Sequence, residues 1–509
     1  MSQTALRVIG SALVLLSAFA AAANQPNHQV TGTHSKYHPL LTYEPGGALI
    51  QASLRLGGRV EMVDAIPVGI DGAVLDSEMV GNVLARIGLK FDSRLSMAPV
   101  GFGLDFELDA YSGVVTDAPT LEGAGLPNTE GTESVIRRAM LRFSIGRYLH
   151  LLGGLTVSDF GMGLIANSGD RGWTPGSAVF NDPRRGDRVL RLMVATGPLT
   201  PERVTFGVGY DFVQDDDILL KGDEAQQIVG AVRFGVGGPH SGGVYVAYRN
   251  QETAEGKTLK VMAVDVTGST TMELSKTMSL KLETELAFIS GDTTLGPSTD
   301  FPRHKVTQIG AAVRASLDAS VAGAVLDFLY ASGDQNLDDK SQNGFRTDRN
   351  YQLGFMTWRY LMAAHSGRAT HTAADPELSG RPAEDLDRFP TRQSATNTIS
   401  IFPRGWWRPV DGLEIYGGPL FAWSEVPLVD PLQTRLNGGS PRNAFGGKPG
   451  SYLATEVDLG IRYRTLFHGT ELTLGLEGGI VIPGSAFEDS EGNSVDPIYG
   501  GRFMLEYRL

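Results

Sequence analysis

The sequence predicts an all-β fold: a single large antiparallel transmembrane β-barrel of about 18 strands, with long extracellular loops and short periplasmic turns. Three observations lead to this prediction. Apolar and polar residues alternate from Ala48 to the last residue, the connections alternate between short and long, and glycine accounts for 64 of the 509 residues. Segments of about 10 residues that are apolar on one face only are typical of outer-membrane barrels, and abundant glycine suits tight turns.

The alternation is clearest in the segment that ends at Phe212. Val204, Phe206, Val208, Tyr210 and Phe212 share one face, and small or polar residues stand between them. A soluble β-sandwich also alternates. However, the alternating segments here are about 9–13 residues long, as a tilted membrane-crossing strand requires. Their polar face also carries ionised groups, which are costly in a dry core and acceptable in a wet lumen.

The last strand follows the same pattern. Phe503, Leu505 and Tyr507 face one way, whereas Arg502 and Arg508 face the other. The chain ends in Leu509 rather than in the aromatic residue that is usual at the end of outer-membrane barrels. Farther upstream, four aromatic residues near strand ends favour an interfacial girdle, namely Trp406, Trp407, Tyr416 and Trp423.

The composition agrees with a barrel and disfavours a helical membrane protein. The hydrophobic fraction is 41% and the mean hydropathy is -0.08. A membrane barrel is compatible with such a mean hydropathy near zero, because a barrel strand is apolar on one side only. The formal net charge is -13, and cysteine is absent, which excludes disulfides and thiolate chemistry. We expect outer-membrane lipid and lipopolysaccharide as surroundings, and no nucleic acid as a partner.

The first 23 residues have the features of a cleaved signal peptide. Arg7 is the basic residue, residues 8–19 are the apolar stretch, and residues 21–23 offer an A-x-A cleavage site. The stretch is too short to span a bilayer, which needs roughly 20 apolar residues. Residues 24–46 are polar and unpatterned and are expected to form a periplasmic lead-in. The barrel is then predicted to span residues 47–509, in the cell outer membrane.

The alternation of short and long connections fixes the strand count. Short connections include residues 146–147 and 409–412, and long ones include residues 158–188 and 425–451. Single-chain bacterial barrels have even numbers of strands, so residues 332–395 are predicted to form one long excursion. Residues 350–361 would be a helix or hairpin within it, placed in the lumen. Long excursions of this kind are usually functional, as lids or plugs.

The sequence does not predict an enzyme. It lacks a G-x-S-x-G elbow, an H-E-x-x-H pair and a phosphate-binding loop, and its nine histidines are scattered. Asp334, Asn336 and Asp338 alternate as the oxygen ligands of a calcium loop do, but an EF-hand would need glycine at position 339 and glutamate at position 345. A solvated acidic loop is the favoured alternative to bound Ca²⁺, and no other cofactor is expected.

Charged residues are predicted to line the lumen. By the alternation, the inward-pointing arginines are Arg138, Arg142, Arg191, Arg233, Arg314, Arg462, Arg464, Arg502 and Arg508. The inward-pointing carboxylates are Asp105, Glu107, Glu283, Glu285, Glu456 and Asp458. They could form either a ladder of salt bridges that stiffens the wall or a guanidinium track that guides anionic or hydroxyl-rich solutes. Arg184, Arg185 and Arg188 would extend such a track at the mouth.

One short segment and one longer set of segments resemble known families. The run Tyr330-Ala331-Ser332-Gly333-Asp334, followed by an acidic stretch and Phe345, resembles the A-S-G-D segment of alginate-export-type outer-membrane barrels. That resemblance implies a porin of about 18 strands that passes a polymer. Residues 146–147, 161–167, 182, 186–189 and 345–351 are similar to a largely uncharacterised family of deltaproteobacterial outer-membrane proteins, which implies a location and a barrel but no substrate.

Three functions therefore remain open at the level of sequence. The first is a porin for export of a surface polysaccharide, working with a periplasmic export apparatus. The second is a diffusion porin for small solutes. The third is a plugged structural barrel that anchors cell-surface or motility machinery.

Overall fold

The computed structural model describes residues 41–44, 48–75, 78–93, 100–114, 130–180, 186–296, 300–379, 384–467 and 470–509. The predicted signal peptide and most of the predicted lead-in lie outside these residues. Among the described residues, no helix has the length and apolar character needed to cross a membrane.

The main sheet contains 20 strands, and all but two of them form the barrel wall. The two additions are short: Leu41–Tyr43 pairs with the first wall strand, and Ser341–Gln342 pairs with a later one. In chain order, the wall strands are β1 (Ala48–Val63), β2 (Glu78–Ser93), β3 (Val100–Val114), β4 (Glu130–Ile145), β5 (Leu149–Val157), β6 (Arg188–Thr196), β7 (Thr205–Asp215), β8 (Glu224–Phe234), β9 (His240–Glu252), β10 (Thr258–Ser275), β11 (Met278–Thr293), β12 (His304–Asp318), β13 (Ala322–Ala331), β14 (Thr398–Val410), β15 (Leu413–Trp423), β16 (Tyr452–Phe467), β17 (Thr470–Pro483) and β18 (Ile498–Arg508).

The wall closes on itself. Each strand pairs antiparallel with its neighbour in sequence, and β1 pairs with β18 from Val63↔Gly500 to Arg55↔Arg508. Leu54 and Leu509 exchange backbone hydrogen bonds at the end of this seam, with N···O distances of 3.1 and 2.8 Å. Closure removes the unpaired sheet edges that a bilayer would not tolerate. The predicted antiparallel barrel of about 18 strands is confirmed.

Long and short connections lie at opposite ends of the barrel. The three longest join β5 to β6 (residues 158–187), β13 to β14 (residues 332–397) and β15 to β16 (residues 424–451). Turns at the other end are as short as two residues, at 276–277 and 411–412. This arrangement is the one that outer-membrane barrels adopt, with long loops outside and short turns in the periplasm.

The outer face of the wall is apolar. In β7, Phe206, Val208, Tyr210 and Phe212 are exposed, whereas the residues between them are buried. Similar exposed apolar side chains recur around the barrel, so the wall presents a lipid-facing band. The predicted girdle is only partly right: Trp407 and Trp423 are exposed, but Trp406 and Tyr416 are buried inside, because neighbouring strand residues face opposite sides.

The helices lie in the loops. A π-helical turn, Thr357–Met362, leads into α1 (Ala363–Ala374), and α2 (Pro376–Ser379) follows. A short α3 (Pro431–Leu436) lies in the connection from β15 to β16, with Asp430 as its N-cap, and 3₁₀ turns span Leu386–Arg388 and Ser485–Phe487. The main apolar core forms inside the barrel, where these loop segments pack against inward-facing wall residues.

Candidate functional site: the lumen and its two infolded loops

Two connections fold into the lumen and determine its shape. We call residues 158–187 the crossing loop and residues 332–397 the lumen insert. Both contain fully buried apolar residues that contact wall strands, including Phe180 of the crossing loop and Phe345 and Phe355 of the lumen insert. The interior is therefore partly filled by the chain's own loops.

The crossing loop contacts three sides of the wall. Near its start, the backbone N–H groups of Met162 and Leu164 donate to the Glu285 carboxylate on β11, at 2.8 Å for Leu164. Near its middle, Asp170 lies among three arginines of β2 and β4. Toward its end, Gly176 donates to Glu414 on β15 at 2.8 Å. Such contacts on opposite sides require the loop to traverse the interior.

The end of the crossing loop packs on aromatic wall residues. The Phe180 ring lies 5.2 Å from the Tyr416 ring and 6.2 Å from the Phe402 ring. The carbonyl oxygens of Val179 and Phe180 accept from Arg462 and Arg502, respectively. These contacts place a buried apolar segment against strands β14 to β18.

The lumen insert is held by a carboxylate that accepts several backbone donors. Glu456 on β16 accepts from the N–H groups of Phe355, Met356 and Thr357 at 2.6, 2.6 and 2.8 Å, and from the Thr357 hydroxyl. Neighbouring Asp458 accepts a further bond from Phe355 at 3.1 Å. A helix start leaves its first N–H groups without partners, so these two wall carboxylates take the place of a cap.

Inward-facing glycines make room for the insert. A Cβ atom on Gly310 of β12 would lie 2.3 Å from Cε1 of Phe345, and one on Gly500 of β18 would lie 2.8 Å from the Met356 sulfur. Real Cβ contacts are essentially never this short. The glycine excess noted in the sequence therefore serves loop packing as well as turns.

Arg359 and Arg368 tie the insert to the wall and to other loops. Arg359 donates to Glu61 on β1 at 3.0 Å. Arg368 on α1 bridges Asp71 and Asp430, at 3.1 Å to each, and so joins α1 to two other extracellular connections. The insert is thus fixed both inside the barrel and at its mouth.

Eight of the nine predicted inward arginines form ion pairs with carboxylates on the inner face. The pairs are Arg138 with Asp105 and Glu107, Arg142 with Asp92, Arg191 with Asp211, Arg314 with Asp327, Arg462 and Arg502 with Glu477, Arg464 with Glu471, and Arg508 with Glu471 and Glu506. The ninth, Arg233, forms no such pair within the described residues. It donates to the Asp159 carbonyl at 2.6 Å and lies over the Phe160 ring.

The six predicted carboxylates divide into two groups. Asp105, Glu107 and Glu283 pair with wall cations. Glu285, Glu456 and Asp458 instead accept from loop backbone. The second group therefore positions the infolded loops rather than lining a passage.

Sequence reasoning missed the ion-pair cluster in which Arg86 and Arg137 bind Asp170. A β-bulge at Glu107/Leu108 shifts the register between β3 and β4, so Arg137 as well as Arg138 points inward. Arg137 and Arg86 both bind Asp170 of the crossing loop. Alternation alone assigns Arg137 to the lipid face, and nothing in a single sequence marks the bulge.

Asp170 is ionised by its surroundings. Burial acts to raise the pKa of this carboxyl, but the guanidinium groups of Arg137 and Arg86 hold it below its usual range. The crossing loop is thus attached to β2 and β4 by a charged contact. On β14 and β15, the same loop is also attached through the apolar contacts of Phe180 with Phe402 and Tyr416.

The three predicted calcium ligands and one of the three predicted mouth residues lie within the described residues. Arg184 and Arg185 lie outside the described residues, and Arg188 pairs with Asp215 at 3.6 Å. Asp334 accepts from the N–H groups of Asn336 and Asn343, and Asn336 accepts from Asp338. No group of three or more His, Cys, Asp or Glu residues in the described part of the chain is arranged to hold a metal ion. A solvated acidic loop remains the favoured prediction for these residues, with bound Ca²⁺ as the alternative.

Exposure distinguishes the two sides of the interior. Near the short-turn end of β2 to β4, the side chains of Arg142 and Asp92 are 42% and 41% exposed, and Asp105 is 31% exposed. On β17 and β18, the Arg502 and Glu477 side chains are both 0% exposed. The inner face of β2 to β4 therefore meets water near the short turns, whereas Arg502 and Glu477 on β17 and β18 are covered.

The comparisons with known proteins concern the fold. No protein-family model and no curated protein matches the sequence. Among solved structures, OccK2 (OpdF) of Pseudomonas aeruginosa matches with a TM-score of 0.51 and 11% identity, covering 90% of this chain and 97% of that chain. OccAB1 of Acinetobacter baumannii matches with a TM-score of 0.50 and 10% identity, covering 90% and 96%. A second OccK2 structure, in complex with glucuronate, matches with a TM-score of 0.50 and 11% identity, covering 90% and 98%.

At such low identities the likeness shows the fold alone. Together with the apolar outer band, that fold confirms the predicted outer-membrane location. The resemblances to alginate-export-type barrels and to the deltaproteobacterial family remain predictions. The chain has the closed 18-stranded barrel fold of Gram-negative outer-membrane porins.

Proposed function

We propose that this chain is a passive diffusion channel for small polar solutes. The observation that carries the proposal is the crossing loop, which contacts β2 and β4 at Asp170, β11 at Glu285 and β15 at Glu414. A loop that traverses the lumen narrows it. The remaining polar surface near the short-turn end of β2 to β4 is water-accessible and charged.

This surface favours solutes that carry charge or several hydroxyl groups. It presents cations and carboxylates side by side: Lys90, Asp92, Asp105, Arg138 and Arg142. Exposed pairs of this kind are worth about 0–1 kcal/mol, so a passing carboxylate or hydroxyl can exchange with a wall partner at little cost. Similarity of fold to a barrel that has been crystallised with glucuronate supports including sugar acids in the class.

Export of a surface polysaccharide was the first expectation from the sequence, and it has less support than diffusion of small solutes. The comparisons support the small-solute alternative better. A chain-like polymer would have to pass the crossing loop and the lumen insert, both of which are anchored by buried hydrogen bonds. The plugged structural barrel is the remaining alternative, and conductance distinguishes it from a channel.

Planar-bilayer recording of the purified full-length barrel tests the proposal. We expect discrete current steps in potassium chloride, and their partial block by added glucuronate. A barrel that inserts but never conducts would instead support the plugged anchor. Insertion is checked separately by the heat-dependent change in electrophoretic mobility that folded barrels show.

A further inference from the structure

The outward-facing rim at the long-loop end of the barrel differs from one sector to another. On β9, β15 and β18, the outward positions near this end include the exposed aromatic residues Tyr248, Trp423 and Tyr499. Aromatic side chains of this kind suit the bilayer interface. On β10 to β12, outward positions near the same end carry charges instead. The outer leaflet therefore meets two kinds of rim.

Lys260 on β10, Asp292 on β11 and Lys305 on β12 form one row of the charged sector. Direct strand pairing joins Lys260 to Asp292 and Asp292 to Lys305, and all three side chains are exposed. Their outward direction follows from the alternation, because Phe288 and Ile309 lie an even number of residues away on β11 and β12 and face lipid.

A third cation lies beside the two strand lysines. The Lys305 N–H donates to the Lys340 carbonyl at 2.8 Å, so the lumen insert runs next to β12 at this point. The exposed Lys340 ammonium lies 5.9 Å from the centroid of the Phe301 ring. We call Lys260, Lys305 and Lys340 the rim patch. Within the described part of the chain, none of these three ammonium groups forms an ion pair.

The rim patch lies at the level of lipid headgroups. Phe288 and Ile309, in the apolar band, are each four residues closer to the middle of their strands than Asp292 and Lys305. Four residues of a strand span about 13 Å, and strand tilt reduces the vertical separation to about 10 Å. A lysine at this height lays its apolar stem along the wall and keeps its ammonium among the headgroups.

We propose that the rim patch binds the phosphate groups of lipopolysaccharide, the phosphorylated glycolipid of the outer leaflet. Ammonium groups at a membrane surface attract anionic headgroups. Two strand spacings, about 10 Å, separate Lys260 from Lys305, which suits a headgroup that carries more than one phosphate. Binding at this outer surface does not depend on flow through the lumen, so bilayer conductance and lipid binding can fail separately.

The carboxylates of the same sector provide a second, opposite expectation. Asp292 lies between the two strand lysines and has the same sign of charge as a phosphate, so it opposes binding. The adjoining connections also carry Asp300, Asp338 and Asp339, of which Asp339 accepts from the N–H and hydroxyl of Ser341 at 2.6 Å. Removing the charge of Asp292 should therefore strengthen the binding of a phosphorylated lipid.

Binding of lipid A, the phosphorylated anchor of lipopolysaccharide, to the purified full-length barrel tests the assignment. Native mass spectrometry counts bound lipid molecules while bisphosphorylated lipid A is titrated in the absence of divalent cations. Lys260→Gln/Lys305→Gln should bind roughly tenfold more weakly than the wild type, whereas Asp292→Asn should bind more tightly. Dephosphorylated lipid A should bind all three proteins equally and weakly.

A matched control removes two positive charges from the opposite end of the barrel. Arg147 and Lys276 are exposed in short turns, so Arg147→Gln/Lys276→Gln should bind lipid A as the wild type does. Heat-dependent electrophoretic mobility checks that each variant has folded. If the double variant at the rim does not fold, the comparison of Asp292→Asn with the wild type decides.

Three outcomes would overturn the proposal. Equal affinity of the wild type and Lys260→Gln/Lys305→Gln for bisphosphorylated lipid A would remove the rim patch as a phosphate site. Weaker binding by Asp292→Asn would contradict the charge complementarity on which the site rests. Tighter binding of phosphatidylglycerol than of lipid A by the wild type would remove lipopolysaccharide as the occupant.

Discussion

Two regions of the inner wall follow the same alternation but meet different surroundings. On β2 to β4, the Arg142–Asp92 pair is close to half exposed. On β16 to β18, Glu477 accepts from Arg462, Arg502 and the Tyr416 hydroxyl, and Glu477 and Arg502 are fully buried. The loops create the difference, because Phe180 and Phe355 cover the second region and leave the first open to water.

The comparison shows that charge on a barrel wall has no single role. A buried charge must be paired, and removing one partner costs about 3–5 kcal/mol, because the other is left without compensation. An exposed pair contributes little to stability but remains available to solutes. The wall beneath the loops is therefore structural, and the wall near the short-turn end of β2 to β4 is the better candidate for contact with solute.

Removing the lumen insert should give the largest effect. Ala331 and Thr398 are directly paired, so a short Gly-Ser turn in place of residues 333–396 can join β13 to β14. Single-channel conductance should rise several-fold, because the apolar cover of one side of the lumen is lost. Heat-dependent mobility checks that the barrel still closes, and an unchanged conductance would show that the insert does not limit the passage.

Breaking the covered ion-pair cluster should strongly affect stability. Glu477→Ala leaves Arg462 and Arg502 buried without their carboxylate, so the free energy of unfolding should fall by about 3–5 kcal/mol. The matched control is Asp92→Ala on the wet side, where the loss should stay below about 1 kcal/mol. Urea unfolding of both variants in the same lipid or detergent measures the difference, and equal losses would contradict the distinction between the two regions.

Removing the carboxylate that holds the insert should have a more local effect. In Glu456→Ala, the N–H groups of Met356 and Thr357 and the Thr357 hydroxyl lose their acceptor, whereas the Phe355 N–H keeps Asp458. Each unsatisfied buried donor costs about 1–3 kcal/mol. Peptides covering 353–362 should exchange hydrogen faster while wall strands stay protected. Glu283→Gln, at a carboxylate paired with Lys281, should leave that segment unchanged.

Neutralising the charged anchor of the crossing loop should change ion selectivity. In Asp170→Asn, the arginine cluster of β2 and β4 loses one carboxylate and gains net positive charge. The reversal potential in a potassium chloride gradient should therefore shift toward anion selectivity. Asp411→Asn, in an exposed turn at the other end of the barrel, should leave the reversal potential unchanged. A shift toward cation selectivity in Asp170→Asn would refute the idea that the Asp170 carboxylate contributes to the charge of the passage.

The wall could be predicted from the sequence, whereas the interior could not. The lipid-facing residues of β7 and the even strand count follow from alternation and connection lengths, which are local properties. The positions of Glu285 and Glu456 were also predicted, but their partners lie about a hundred residues away along the chain. Arg137 was missed because a single bulge reverses its direction.

Liposome swelling with a series of solute sizes tests the central claim most directly. Vesicles containing the full-length barrel are placed in isotonic solutions of a sugar acid such as glucuronate, of short oligosaccharides of increasing length, and of an anionic polysaccharide. A narrowed diffusion channel should admit the sugar acid, admit progressively less of the longer solutes and exclude the polymer. Entry of the polysaccharide at a rate similar to that of glucuronate would contradict the account and restore the export hypothesis.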